Sequence, residues 1–234
     1  MQIFYSGNVS EGMALFSREE TGHCLKVLRM RRGDTLVFTD GKGNLYEGVI
    51  TSDNPSGMTA SVTSVIIKAG KSDYRLHVAI SPLKNDDRLE WFIEKAVETG
   101  IEEITPVLCL RTEKRRIRRE RLEGIILSAM KQSLRRYLPT LNEPTLFREF
   151  VMENHSGRKL IASCDEDFER KSITSAFSRK EDVLVLIGPE GDFTSDETRL
   201  AIEHGFIPVH IGPGRLRTET AGIAACCSVY LANI

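Results

Sequence analysis

Leu186-Ile187-Gly188-Pro189-Glu190-Gly191-Asp192-Phe193-Thr194-Ser195-Asp196-Glu197 reads as the end of a buried strand, a tight turn and the start of a helix. The apolar run over residues 183–187 has the length of a strand. Thr194 with Glu197 makes a capping box, in which hydroxyl and carboxylate satisfy orphan N–H groups at a helix start. A second stretch, Ile211-Gly212-Pro213-Gly214-Arg215-Leu216-Arg217-Thr218-Glu219-Thr220-Ala221, repeats this grammar. Residues 208–211 give its strand, Gly212-Pro213-Gly214 its turn, and Thr218 or Thr220 the expected cap of a closing helix that runs through Leu231. Two such units in succession predict a parallel sheet, with glycines at the strand ends admitting a ligand beyond the carboxyl edge. Plain turn chemistry would place the same glycines and prolines there.

Outward from these segments, the period of the pattern changes near residue 70. Before it come short strands at residues 2–5, 35–39, 45–50 and 58–67, with Asp40-Gly41 and Asn54-Pro55-Ser56-Gly57 as turns, and one helix from the box Ser17 to Glu20 to about Leu28. This reads as a small β-barrel over residues 1–70, followed by a polar linker, Lys68-Ala69-Gly70-Lys71-Ser72-Asp73. From residue 74 to 234, strands at 75–80, 104–108, 159–164, 183–187 and 207–211 alternate with helices. The helix at 88–99 carries Leu89, Phe92, Ile93, Ala96 and Val97 on one face and stops at Gly100, and a basic helix runs from about Arg119 to Tyr137. Alternation of this kind predicts a mostly parallel α/β sheet.

Composition sets the outer limits. With 41% apolar and 28% charged residues among 234, the chain has the makeup of a globular protein with one large core or two modest ones. No apolar run approaches the roughly 20 residues of a membrane span, so a cytoplasmic protein is expected. Five cysteines without a Cys-x-x-Cys pair read as buried thiols, with neither disulfides nor a metal site expected. The net charge of −1 hides a basic cluster between Arg111 and Arg136, opposed in sequence only by Glu113, Glu120 and Glu123. Such a cluster attracts phosphates, although a solvated helix face reads the same way. Arg29, Arg31 and Arg32 form a smaller basic group.

Several of these segments together resemble the RsmE group of SPOUT-class RNA methyltransferases. The most specific are Gly188-Pro189-Glu190-Gly191 and Leu216-Arg217-Thr218-Glu219-Thr220-Ala221. With them go His23-Cys24-Leu25-Lys26-Val27-Leu28-Arg29-Met30-Arg31-Arg32-Gly33-Asp34, Lys84 followed by Arg88, Glu98-Thr99-Gly100, and Gln132-Ser133 with Arg135 and Pro139. The resemblance extends over almost the whole chain. It departs where the family usually has glycine at Asp192, leucine at Thr99 and glutamate at Lys131.

The resemblance implies an α/β protein with an N-terminal PUA-like β-barrel that binds RNA and a C-terminal SPOUT domain with a trefoil knot. It further implies S-adenosylmethionine as methyl donor, N3 of a uridine in 16S rRNA or the 30S subunit as substrate, and a homodimer. The donor is expected on Ile187, Gly188, Pro189, Glu190, Gly191, Ile211, Gly212, Leu216, Arg217, Thr218 and Ala221. RNA is expected on Arg29, Arg31, Arg32, Lys84, Arg111, Arg115, Arg116 and Arg135, because a guanidinium fork suits phosphates and guanine edges. Removal of the uracil N3 proton needs a base, and the neighbouring carbonyls need a cation. Glu219 and Arg217 fill these roles in one reading. In the other, Glu219 caps the last helix and Arg217 pairs with it or binds a phosphate. His23 reads as structural and Trp91 as core or interface. The small residues Ala221, Gly222, Ala224, Ala225 and Ser228 suit close packing, within the chain or between subunits. Another knotted RNA methyltransferase, or an RNA-binding factor without catalysis, are the alternative functions; a nicotinamide dehydrogenase lacks its Gly-x-Gly-x-x-Gly.

Overall fold

The computed structural model describes residues 2–67 and 70–234; Met1, and Lys68 and Ala69 of the expected linker, lie outside the described residues. The chain divides into two compact units, Met1–Lys71 with Leu127–Leu138, and Ser72–Ile126 with Pro139–Ile234. Residues 127–138 thus group with the first unit, although a single boundary near residues 70–74 is what the change of period suggests.

The first unit contains β1 (Phe4–Tyr5), β2 (Asn8–Ser10), β3 (Met13–Leu15), α1 (Arg18–Gly22), β4 (Thr35–Thr39), β5 (Leu45–Ser52) and β6 (Thr59–Ile66). Its six strands form one sheet in the order β1-β4-β5-β6-β3-β2. Ser6 links β4 and β3, the strands next to the two ends of that order: its N–H donates to Thr39 O (3.0 Å) and its hydroxyl to Leu15 O (2.8 Å). Inside lie Phe4, Phe16, Phe38, Ile50 and Met58. The β2–β3 hairpin has strands of three residues each, too short for an alternation to be read from the sequence, and its turn uses left-handed backbone at Glu11 (φ 50°) and Gly12 (φ 75°). Ser17 caps α1 through a bond from the Glu20 N–H (3.2 Å), but the expected capping box is not completed. The buried Glu20 carboxylate instead accepts from the Tyr5 N–H and pairs with Lys131. The helical run does reach Val27, with Leu28 as its C-cap, as expected, but from His23 onward it is π-helical.

The second unit contains β7 (Leu76–Ile80), α2 (Asp86–Thr99), β8 (Glu103–Leu108), α3 (Arg119–Gln132, whose last turns belong to the first unit), β9 (Thr140–Leu141) and β10 (Thr145–Leu146). It continues with α4 (Phe147–Met152), β11 (Arg158–Ala162), β12 (Lys171–Ser172), β13 (Val183–Ile187), α5 (Ser195–Glu203), β14 (Ile207–His210) and α6 (Thr218–Ala232). The strands lie side by side as β10-β8-β7-β13-β11-β14-β12, with β9 also on β8, and the pairs along this order are parallel. Burial explains the pattern: all five residues of β13, the central strand, are buried, as a strand covered on both faces requires. Asn85 caps α2, and Gly100 ends it in left-handed conformation (φ 92°). The expected extension of α3 to Tyr137 fails because Leu134 takes φ 57°, outside helical space. At α6 the N-cap is Arg217, without a side-chain hydrogen bond, so neither Thr218 nor Thr220 caps it. Thr218 is the first helical residue and is buried.

Three cysteines follow expectation, with Cys24, Cys109 and Cys226 buried, whereas Cys164 is exposed because it lies just past the end of β11. Trp91 is 45% exposed, so it is not a core residue of this chain.

Candidate functional site

Strands β13, β11 and β14 end beside one another, and the loops that follow them converge at the carboxyl edge of the sheet, where β13 and β14 are separated by the intervening β11. Ligands of open parallel sheets bind at such a reversal of strand order. Two adjoining cavities occupy the place, of about 650 and 310 Å³, both bounded by Ala162, Cys164, Arg215, Leu216 and Ala221. That volume suits a nucleoside-sized molecule.

The loop after β13 is held on three sides. Its helix start is closed by the capping box of Thr194 and Glu197, and Glu197 also accepts from the Leu110 N–H (2.7 Å). The Arg111 guanidinium donates to the carbonyls of Gly191 (2.6 Å) and Phe193 (3.2 Å). On the β11 side, Asp192 accepts from the Cys164 N–H (2.7 Å), and Asp165 accepts from the Ser195 hydroxyl (2.8 Å). The Asp165 carboxyl is held below its ordinary value by the Asp167 N–H and that same hydroxyl. Gly188 is closely packed: a Cβ would stand 3.1 Å from the Phe193 ring and 3.2 Å from Asp192 Oδ1, so a larger residue would require these neighbours to give by a few tenths of an ångström. A wall fixed in this way is preorganised, so binding orders little of it.

Most residues expected to hold the donor line these cavities. Ile187, Gly188, Pro189, Glu190, Arg217 and Thr218 face the smaller one, Ile211 and Gly212 the larger, and Leu216 and Ala221 both. Gly191 packs on the Arg111 side chain instead. Cys164, Glu166, Arg170 and Arg215 also line the cleft. The loop after β11 escaped notice in the sequence because it has no glycine; its one signal is position, directly after a strand.

The two residues expected to do chemistry part company. Arg217 is exposed on the cleft wall. Glu219 is 7% exposed and is not among the lining residues. Its Oε1 lies 3.7 Å from Arg88 Nε on α2, and its Oε2 is buried without a hydrogen-bond partner. Arg88 as the group opposite Glu219 could not be read from the sequence, where 131 positions' distance hides a helix-to-helix contact.

Among the expected RNA contacts, Arg29, Arg31 and Arg32 are exposed in the first unit, and Arg135 belongs to that unit as well. In the second unit Arg115 and Arg116 are exposed, and Lys84 pairs with Glu113 (2.9 Å) while its N–H donates to Glu190 (3.1 Å). Arg111 braces the cleft loop, as described. The basic cluster is less naked than its sequence suggests, because α2 supplies opposing carboxylates: Lys114 pairs with Asp86 (2.5 Å), Arg118 with Asp86 (3.1 Å) and Glu90 (3.4 Å), and Arg121 with Glu90 (2.9 Å). Among the described residues, no group of three or more His, Cys, Asp or Glu side chains is placed to hold a metal ion, and no helix is long and apolar enough to cross a membrane.

A parallel α/β unit with a preorganised cleft at its carboxyl edge, in a chain that also carries a small β unit, defines the class: a two-domain α/β protein built to hold a nucleoside-like cofactor. Two family models match, one described as an RNA methyltransferase domain over residues 70–230 and one as an RNA methyltransferase PUA domain over residues 16–63. The chain belongs to this RNA methyltransferase family, in its RsmE group. It is similar to a probable rRNA methyltransferase from Porphyromonas gingivalis, at 36% identity and a TM-score of 0.91, covering 100% of this chain and 98% of that one. It is also similar to the ribosomal RNA small subunit methyltransferase E of Neisseria gonorrhoeae, a structure bound to S-adenosylmethionine, at 27% identity and a TM-score of 0.83 over 100% of this chain and 98% of that one. The protein of the same name from Bacillus subtilis is 26% identical over 90% of this chain and 87% of its own length. The fold is accordingly α/β, with an N-terminal PUA-like domain and a methyltransferase domain.

Proposed function

We propose that this protein is an S-adenosylmethionine-dependent methyltransferase of small-subunit ribosomal RNA that places its methyl group on N3 of one uridine of 16S rRNA. The observation that carries the reading is the cleft beyond β13, β11 and β14, whose size, backbone-rich walls and braced loops fit a nucleoside donor. Gly188 and Gly212 leave the backbone open to close approach, and a Cβ at Gly212 would meet nothing within 4 Å. When bound, S-adenosylmethionine supplies a methyl group already activated on a sulfonium. The chain then has two tasks, position and charge.

In this reading Arg217, which lines the cleft at the start of α6, holds the oxyanion that develops on a uracil carbonyl as the N3 proton leaves. Glu219 fits a different part from the proton acceptor expected from sequence. A base must come within hydrogen-bond reach of its proton, and this carboxylate is buried against Arg88. It acts as a positioning residue that holds Arg88, and the proton leaves to solvent. Donor carrying a deuterated methyl group, incubated with 30S particles, tests both assignments. Arg217→Ala is expected to lower the single-turnover rate by roughly 100-fold, whereas Glu219→Gln keeps the wild-type shape of the rate against pH. A pH profile flattened by Glu219→Gln would return the base role to it.

The same reading includes a homodimer, a trefoil-knotted methyltransferase domain and a cytoplasmic site of action. The dimer is supported by the exposed apolar side chains Trp91 on α2 and Leu231 on α6. Knot and location rest on the resemblance to the RsmE group. A monomer at micromolar concentration by sedimentation would remove the dimer.

A further inference from the structure

Asp192 occupies backbone that L-residues avoid. Its φ is 62°, in the left-handed region where glycine sits without strain and aspartate is among the few side chains tolerated. The carboxylate is fixed from two directions: Oδ1 accepts from the Phe193 N–H (2.8 Å) and Oδ2 from the Cys164 N–H (2.7 Å), joining the loops after β13 and β11. It also lines the smaller part of the cleft, beside Gly188 and Leu216. A negative charge that cannot swing away is thereby built into the wall, and each oxygen keeps lone pairs for a further partner.

The two small molecules that exchange in a methyltransferase cleft differ in one charge. The donor carries a sulfonium; after methyl transfer the product is the neutral thioether. Their adenosine, α-ammonium and α-carboxylate are common to both, so contacts with these groups, including any made by Arg215 and Arg217, cancel when the two affinities are compared. A fixed anion in the cleft wall does not cancel, because only the donor offers it a sulfonium charge. We propose that Asp192 is a donor-over-product specificity residue, whose immobilised carboxylate favours the cationic sulfonium of S-adenosylmethionine and so promotes release of S-adenosylhomocysteine. This inference rests on the donor reading of the cleft.

Isothermal titration of the full chain with each molecule at low ionic strength tests it. Wild type is expected to bind the donor more tightly than the product, and Asp192→Asn, which keeps one of the two acceptors and tolerates left-handed backbone, to narrow that ratio by roughly fivefold. Added salt narrows the wild-type ratio in the same direction, because it screens the charge. Asp192→Gly, which relaxes the backbone and lacks the charge, is a second variant with the same expected ratio should the asparagine disturb the loop. Equal weakening of both molecules in both variants would make Asp192 a structural brace and overturn the inference, leaving the donor reading intact. An unchanged ratio would overturn it equally. Failure of wild type to bind either molecule would overturn the donor reading and this inference with it.

Discussion

Cys164 and His77 show how differently single residues report on this molecule. Burial pushes the thiols of Cys24 and Cys226 up to about 12 and raises that of Cys109 as well, which leaves them protonated and inert at neutral pH. Cys164 is exposed and borders both parts of the cleft. Iodoacetamide is therefore expected to modify Cys164 before these three, and saturating S-adenosylmethionine to slow that reaction severalfold, as followed by peptide mass spectrometry; equal rates with and without donor would place the donor elsewhere. His77 lies at the opposite end of the sheet, its Nε2 bonded to Thr105 Oγ1 (2.7 Å) and its ring packed edge-on to Phe150. Desolvation lowers its pKa from 6.5 to about 4, against the pull of Glu103, with His155 and Arg75 adding to the lowering. The unfolded chain thus binds the proton more readily, so the stability held above pH 6.5 is lost as the pH falls towards 4. Urea midpoints at pH 7.5 and 4.5 measure this loss, and His77→Gln is expected to reduce it; an identical acid loss in the variant would assign it to other groups.

At the scale of elements, the contact of α2 with α6 carries the clearest demand. Replacing a helical glycine by alanine ordinarily adds about 1 kcal/mol of stability. At Gly222 the sign reverses, because a Cβ would lie 2.6 Å from Phe92 Cε2 and 3.3 Å from Ile80 Cδ1, both side chains being buried. Gly222→Ala is expected to destabilise the protein by about 1–3 kcal/mol, read as a lower urea midpoint; an unchanged midpoint would mean that the helices separate without cost. The same contact shows what a sequence can and cannot convey. Strands 35–39 and 183–187 and the capping box of α5 are local, and they were legible residue by residue. The capping box expected at Ser17 failed because Glu20 meets Lys131, a partner 111 positions away that no local pattern encodes. The small residues of α6 permitted two readings, and for Gly222 and Ala225 burial within the chain answers the question.

For the whole molecule, the cleft was more legible than the chemistry. Glycine and proline at two strand ends marked two of its three loops, since close backbone approach restricts residue type. The loop of Cys164 and Asp165 was missed because hydrogen bonds to Asp192 and Ser195 position it, and these depend on the tertiary arrangement. Charge was the least legible property. The run from Arg111 to Arg121 looks like bare cationic surface until Asp86 and Glu90 of α2 are brought against it, which narrows the exposed RNA-facing candidates of this unit to residues such as Arg115 and Arg116. The reaction as a whole is decided by the identity of the methylated nucleoside. The purified protein is incubated with S-adenosylmethionine and 30S particles from cells lacking this methyltransferase, and the 16S rRNA is digested and mapped by mass spectrometry. One new 3-methyluridine at a single position is the expected product. A methyl group on another base or on a ribose, or no methyl group at all from a protein that binds the donor, would contradict it.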